Sequence, residues 1–332
     1  MQIDFFNVLV TVLSLIILAI PGYILVKTKI LPKTSGEVCS ALVLYGCQPA
    51  LVFMGFQKTS YDPQIGTNML IVAGLTIVIH LLMIGFTFLV VKNKNGDAKR
   101  NVVRYASIFS NCGYMGFPFL QALFTGEMLG EALIYGSVVV GIFNILNWTV
   151  GAYIMSGDKK NMSIKKIVLN PTIIGTVLGF LVFWIVKVPI VDLAVQGSQI
   201  DNFVEKIIGS INVFGDMVTP LAMVVIGIRL ANVKIKQLFM DKWAYFVCLN
   251  KLVVMSLITM IVTAFLPIDM LVKYTLFFLL SMPCATSTAM FAINFKSDSD
   301  SASVFVLLTT ILSIIVIPLM FLVFTGVFGV VV

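Results

Sequence analysis

Apolar segments long enough to cross a bilayer follow one another along almost the whole chain, separated by short polar connections. About 20 such residues span the hydrocarbon as a helix, because each residue advances a helix by roughly 1.5 Å. The segments predict ten helices, near residues 4–26, 37–57, 68–91, 102–124, 132–155, 170–188, 204–231, 243–266, 271–295 and 302–330. Composition agrees: 59% of the 332 residues are hydrophobic, 11% are charged and the mean hydropathy is +1.06. Soluble domains carry about a quarter charged residues, so this chain is not one. The first segment begins at Asp4 rather than a basic run and continues to Pro21-Gly22, so it reads as a retained helix rather than a signal peptide.

The net charge of +7 is distributed by topology. Lys27, Lys29 and Lys33 follow the first helix, and Lys92, Lys94, Lys99, Arg100 and Arg104 the third. Lys159, Lys160, Lys165 and Lys166 follow the fifth, Arg229, Lys234, Lys236 and Lys242 the seventh, and Lys296 the ninth. The other side holds Lys58, Lys187, Lys206 and Lys273, while Lys251 falls inside a helix. Basic connections face the cytoplasm, which places both termini outside a multi-pass cell (inner or plasma) membrane protein. These charges then serve orientation, and neither a nucleic-acid partner nor a ligand role follows from them. Cys39, Cys47, Cys112, Cys248 and Cys284 all lie in apolar spans without metal-type spacing, so no disulfide, metal or cofactor is expected. The absence of a G-x-x-x-x-G-K-[ST] loop removes ATP-driven chemistry by this chain alone.

The polar connection Ser156–Lys166 divides five helices from five, giving repeats at 1–157 and 158–332. An odd number of helices per repeat forces opposite orientations. Internal matches accompany the division: Gln48-Pro49-Ala50-Leu51 answers Thr219-Pro220-Leu221-Ala222, with Gly55 and Gly227 following. His80 pairs with Lys251 near mid-span, and Pro118 pairs with Pro283. Both prolines interrupt apolar spans, within Asn111–Pro118 and Ser281–Thr288. Proline removes a backbone donor and clashes with the preceding turn, so a kink or break is predicted at each. Paired interruptions at corresponding places of inverted repeats point to the binding site of a secondary transporter.

The candidate site is therefore the two breaks. Half-helix N-termini attract carboxylates. Gly113, Gly116, Ala285 and Ala289 would let the crossed chains approach, Asn111 both donates and accepts, and Ser281, Thr286, Ser287 and Thr288 add hydroxyls. The bland alternative is that Pro118 and Pro283 merely kink packed helices whose Ser and Thr bond their own backbone. Lys251 is predicted near the midplane, where it either serves an anion or proton, fills the place of a coupling sodium, or ties the breaks together through their carbonyls. Asp216 is the one acid clearly inside a span, and His80 the sole histidine; each reads as a structural or coupling charge. Asn144, Asn147 and Asn250 either line a pathway or tie helices together. An intramembrane protease is rejected, since Asp62 falls in a loop and Val213 replaces the first glycine of G-x-G-D. No H-E-x-x-H or G-x-S-x-G pattern appears, and no enzyme is expected.

Asn111 to Pro118, an N-x-x-x-M-G-[FIL]-P pattern continuing to Gly126, resembles the auxin efflux carrier family, which includes bacterial malate and malonate permeases and plant auxin exporters. Asn144–Trp148, Asn170–Gly175, Pro283–Ala292, Ser301-Ala302-Ser303 and Pro318 extend the resemblance over nearly the whole chain. It implies an all-α membrane protein of ten helices in two inverted repeats. Helices 1, 2, 6 and 7 would form a scaffold that often dimerises, and helices 3–5 and 8–10 a mobile transport unit whose helices 4 and 9 cross at their prolines. The activity implied is secondary transport of a small organic anion, a mono- or dicarboxylate or an auxin-like acid, by elevator-type alternating access. The anion, membrane lipid and a second copy of the chain are the expected partners. A non-transporting receptor using the same pocket is the alternative. A passive channel fits less well, because polar residues concentrate at the midplane.

Overall fold

The computed structural model describes residues 3–93, 96–188, 199–232 and 240–329, with the side chains of 199–204 left aside; Lys94, Lys234 and Lys236 lie outside the described residues. Among the described residues all regular secondary structure is helical, apart from a single isolated bridge. Seven helices are individually long and apolar enough to cross a membrane: α1 (Phe5–Lys27), α2 (Ser35–Gln57), α3 (Pro63–Val90), α6 (Gly126–Ser156), α8 (Glu205–Ala231), α9 (Lys242–Ala264) and α12 (Ser299–Phe328). An eighth is reached if Lys159–Val168 and α7 (Pro171–Val186), bent by 41°, count as one span. Two further stretches are divided, into α4 (Ala98–Ile108) and α5 (Phe117–Leu123), and into α10 (Met270–Ser281) and α11 (Ser287–Asn294).

Helix starts follow local chemistry. Asp4, Asp62, Asn170, Asp241 and Asp298 each accept a backbone N–H in the first turn of the helix they open, satisfying donors that the helix itself leaves free. Pro63 and Pro171 occupy first-turn positions, where a missing N–H does no harm.

Four π-helical turns interrupt the α-helical pattern, at Val43–Cys47, Cys112–Gly116, Asn147–Gly151 and Leu249–Val254. Two of them run directly into a proline-bearing turn, Gln48-Pro49 and Phe117-Pro118. A proline cannot donate to the turn before it, and a widened turn absorbs that defect. Pro118 thus stands in the first turn of α5 instead of at the chain break, which lies two turns earlier at Phe109–Asn111.

Packing divides the helices by neighbour. α1 lies along the second half of α8, and α7 and the first part of α8 lie against α2. The α1/α8 contact is backbone to backbone: a Cβ at Gly227 would be 1.9 Å from the Ala19 carbonyl oxygen, and one at Gly22 would be 2.2 Å from that of Val224. Small residues give membrane helices this approach where lipid offers no hydrophobic driving force. α6 packs on α3 and α10, and α9 packs on α10 and α12.

Candidate functional site

Proline acts directly in the second divided stretch. Met282, preceding Pro283, is extended (φ −57°, ψ 151°), the conformation that a following proline favours. Its neighbours are left with backbone groups that no helix satisfies, and the first divided stretch takes them. Ala285 N–H donates to the Phe109 carbonyl at 2.9 Å, and Asn111 N–H to the Pro283 carbonyl at 2.8 Å. Ser110 and Cys284 thereby form an antiparallel bridge. The Cys284 N–H is held by the Thr309 hydroxyl at 3.1 Å. Two broken helices therefore exchange in the interior the hydrogen bonds that each has lost, as a low-dielectric surrounding demands.

The two sides of this bridge differ. On one side end α4 and α10, whose last carbonyls carry partial negative charge. Lys251, fully buried in the π turn of α9, donates there to the Leu280 carbonyl at 3.1 Å, the Ile108 carbonyl at 3.5 Å and the Ser110 hydroxyl at 2.5 Å. Ser110 in turn donates to Leu280 at 2.9 Å. Ser256 of α9 adds a bond to Ser281 at 2.7 Å.

On the other side begin the π turn leading to α5, and α11. A cavity of about 1790 Å³ reaches these N-terminal ends and is lined there by Asn111, Gly113, Ala285, Thr286 and Ser287. Lys33, Lys99, Lys165 and Lys166 line the same cavity, together with Glu37, Asp241 and Asp300. Lys99 is paired with Asp241 at 2.8 Å. Arg229, in the last turn of α8, brings a guanidinium to the cavity wall. It donates at 3.4 Å to the Thr286 carbonyl and at 3.5 Å to the Ser40 hydroxyl, and among the described residues no carboxylate pairs with it. Aromatic and amide groups complete the wall. The Tyr114 hydroxyl donates to the Ser40 carbonyl at 2.9 Å, and Tyr105 bonds both Asn147 and Ser287 from behind the wall.

The residues singled out in the sequence are distributed as follows. Asn111, Thr286 and Ser287 meet at the cavity, with Gly113 and Ala285. Gly116, Pro118, Ser281, Pro283 and Thr288 are close by but do not line it. Gly116 and Pro118 are buried, with Leu279 2.4 Å from where a Gly116 Cβ would stand. The Thr288 hydroxyl bonds the Ala285 carbonyl at 2.7 Å, within its own turn. His80 is buried against Phe109 with Nδ1 2.7 Å from the Thr76 carbonyl. Asp216 is exposed, takes a bond from Asn212 at 2.9 Å and does not line the cavity. Asn144 and Asn147 do line it, whereas Asn250 is buried elsewhere. Arg229 is not singled out by the sequence, because an Arg in the last turn of a span reads as an orientation signal, and Gln48 stands out there only as a repeat marker.

Comparison with known proteins matches the model of a family described as membrane transport protein over residues 7–165 and 160–321, two stretches that meet in the polar connection after α6. An uncharacterized transporter of Methanocaldococcus jannaschii is 25% identical over 313 residues, covering 93% of this chain and 96% of that one. An uncharacterized transporter of Methanothermobacter thermautotrophicus is 22% identical over 310 residues, with the same coverage. The helices capable of spanning a membrane and the extent of the family match together establish a polytopic membrane protein, and the chain belongs to the membrane transport protein family, the group resembling auxin efflux carriers.

Proposed function

We propose that the protein is a secondary transporter of a small organic anion, a mono- or dicarboxylate, which binds where the cavity meets the two broken helices. The observation that carries this reading is the polarity of the crossover. Its C-terminal half-helix ends face Lys251, and its N-terminal ends face an open cavity with Asn111, Thr286, Ser287 and the guanidinium of Arg229. Helix N-termini and an arginine without a carboxylate partner together form a place for a carboxylate. Arg229 supplies the positive charge in this scheme, and Lys251 pins the crossover.

With the bent pair and each of the two divided stretches counted as one span, the spans among the described residues number ten, five on each side of the polar connection. α1, α2, α7 and α8 form the scaffold, and the crossover with its supporting helices forms the moving unit, so that alternating access follows from sliding one against the other. The cavity opens among basic residues, which by the charge rule is the cytoplasmic side, and the conformation described is inward-facing.

The test is thermal stability of the purified protein against a panel of carboxylates, for the natural chain and Asn111→Ala. A ligand at about 100 times its dissociation constant stabilises the folded state by about 2.7 kcal/mol. The reading expects a carboxylate that raises the melting temperature of the natural protein and not that of the variant. A panel without any stabilising carboxylate contradicts it.

A further inference from the structure

One wall of the cavity carries a polar group that the binding scheme above leaves unused. Gln48 follows the π turn of α2, and its side chain is 1% exposed yet borders the cavity. Its Oε1 accepts the Thr172 hydroxyl of α7 at 3.3 Å, which fixes the amide so that Nε2 points the other way. Among the described residues that Nε2 has no hydrogen-bond partner. Opposite it lies Gly113, in the π turn that follows Asn111, and a Cβ there would stand 3.0 Å from Nε2. With no side chain at 113, the Gly113 turn packs close to this donor, which is buried at the edge of the cavity that Gln48 and Gly113 both line. Buried donors are nearly always paired, and one held unpaired by a neighbour's hydrogen bond calls for an explanation.

The arrangement is two-sided. Arg229 of α8 approaches the α10/α11 break at Thr286, and Gln48 of α2 approaches the α4/α5 break at Gly113. Both borders belong to helices outside the broken pair. We infer that Gln48 is a substrate-binding and specificity-determining residue, whose Nε2 donates to a second oxygen group of the anion that Arg229 holds. An acid with oxygen functions at both ends satisfies both donors. An acid with an apolar tail leaves the Gln48 donor unpaired, and sites built to bond a polar group reject analogues lacking it. Thr172 acts through Gln48 as a positioning residue.

This rests on the organic-anion reading, and the experiment separates the two. Full-length natural protein, Gln48→Leu, Gln48→Glu and Thr172→Val are compared for melting temperature without ligand and for affinity toward malonate, malate and a monocarboxylate with an apolar tail. Loss of Nε2 is expected to weaken dicarboxylate binding about tenfold, the equivalent of one hydrogen bond. It should leave the monocarboxylate affinity unchanged, with the ligand-free melting temperature of Gln48→Leu lowered no further than that of Thr172→Val, which loses the same hydrogen bond. Gln48→Glu, which keeps the shape and the Thr172 bond, is expected to weaken the dicarboxylates further by like-charge repulsion, and Thr172→Val to weaken them less than Gln48→Leu. If the natural protein binds carboxylates and the Gln48 variants bind them equally well, the inference falls and the anion reading stands. A ligand-free melting temperature lowered well beyond that of Thr172→Val with unchanged affinity, or failure of both Gln48 variants to fold, marks a packing residue and also overturns it. If no carboxylate binds the natural protein, both fall.

Discussion

The two faces of the crossover are built from the same broken backbone but treat polar groups in opposite ways. On the Lys251 face the ammonium meets two carbonyls and a hydroxyl, and Ser110, Ser256 and Ser281 bond one another or the same carbonyls. On the cavity face, among the described residues, Arg229 makes two long bonds to uncharged oxygens and the Gln48 amide nitrogen makes none. Both faces carry a cation, so burial of charge alone does not mark a site. What distinguishes the two cations is how far their own donors are engaged, since Lys251 has a close hydroxyl and carbonyl and Arg229 has neither. This holds even though Asn250 Nδ2 and Ser107 Oγ also lack partners among the described residues. A cation with its donors engaged holds a shape, and one with donors left over has something to give to a ligand.

This contrast can be broken in several ways. The largest effect on the fold is expected from Lys251→Met, which strands the Ile108 carbonyl and removes the cation at two helix C-termini; a loss of about 3 kcal/mol in unfolding stability is expected from unpaired buried acceptors. A Lys251→Met protein as stable as the natural one would show that Lys251 does not pin the crossover. Arg229→Met is expected to weaken carboxylate affinity by about 10- to 100-fold, as loss of a hydrogen bond to a charged group does. Its ligand-free stability should change by less than about 1 kcal/mol, since the bonds it gives up are long; calorimetric titration and thermal melting read the two separately. Arg229→Lys keeps the charge but not the fork, and about tenfold weaker binding with unchanged stability is expected. Ser256→Ala should give the smallest change, about 1 kcal/mol in melting experiments with unaltered affinity, because the bonds lost, to the Leu252 carbonyl within its own helix and to the Ser281 hydroxyl, are neutral and lie away from the cavity.

The sequence makes one of the two breaks legible and hides the other. Pro283 forces Met282 into an extended conformation, so the second break can be read locally. Pro118 is equally conspicuous, but it stands within the first turn of α5, with a π turn before it accommodating the missing donor. The break at Phe109–Asn111 arises because Pro283 and Ala285 offer backbone partners there, a long-range cause that no local pattern at 109–111 announces. The same limit applied to function. Asn111, Thr286 and Ser287 stand out because they lie beside the interruptions, whereas Arg229 and Gln48 come from other helices and reach the same cavity only through packing. Lys251 was conspicuous as a charge in an apolar span, yet only its three partners show which face of the crossover it serves.

The central claim, that an organic anion crosses the membrane through the cavity face, is tested most directly by counterflow in proteoliposomes. Vesicles preloaded with an unlabelled carboxylate are given the labelled one outside, for the natural protein and for Arg229→Met and Asn111→Ala. The account predicts saturable uptake accelerated by the internal carboxylate, with both variants strongly impaired at the same external concentration. Uptake that fails for every carboxylate while a control carrier works in parallel vesicles, or that never saturates, would contradict it.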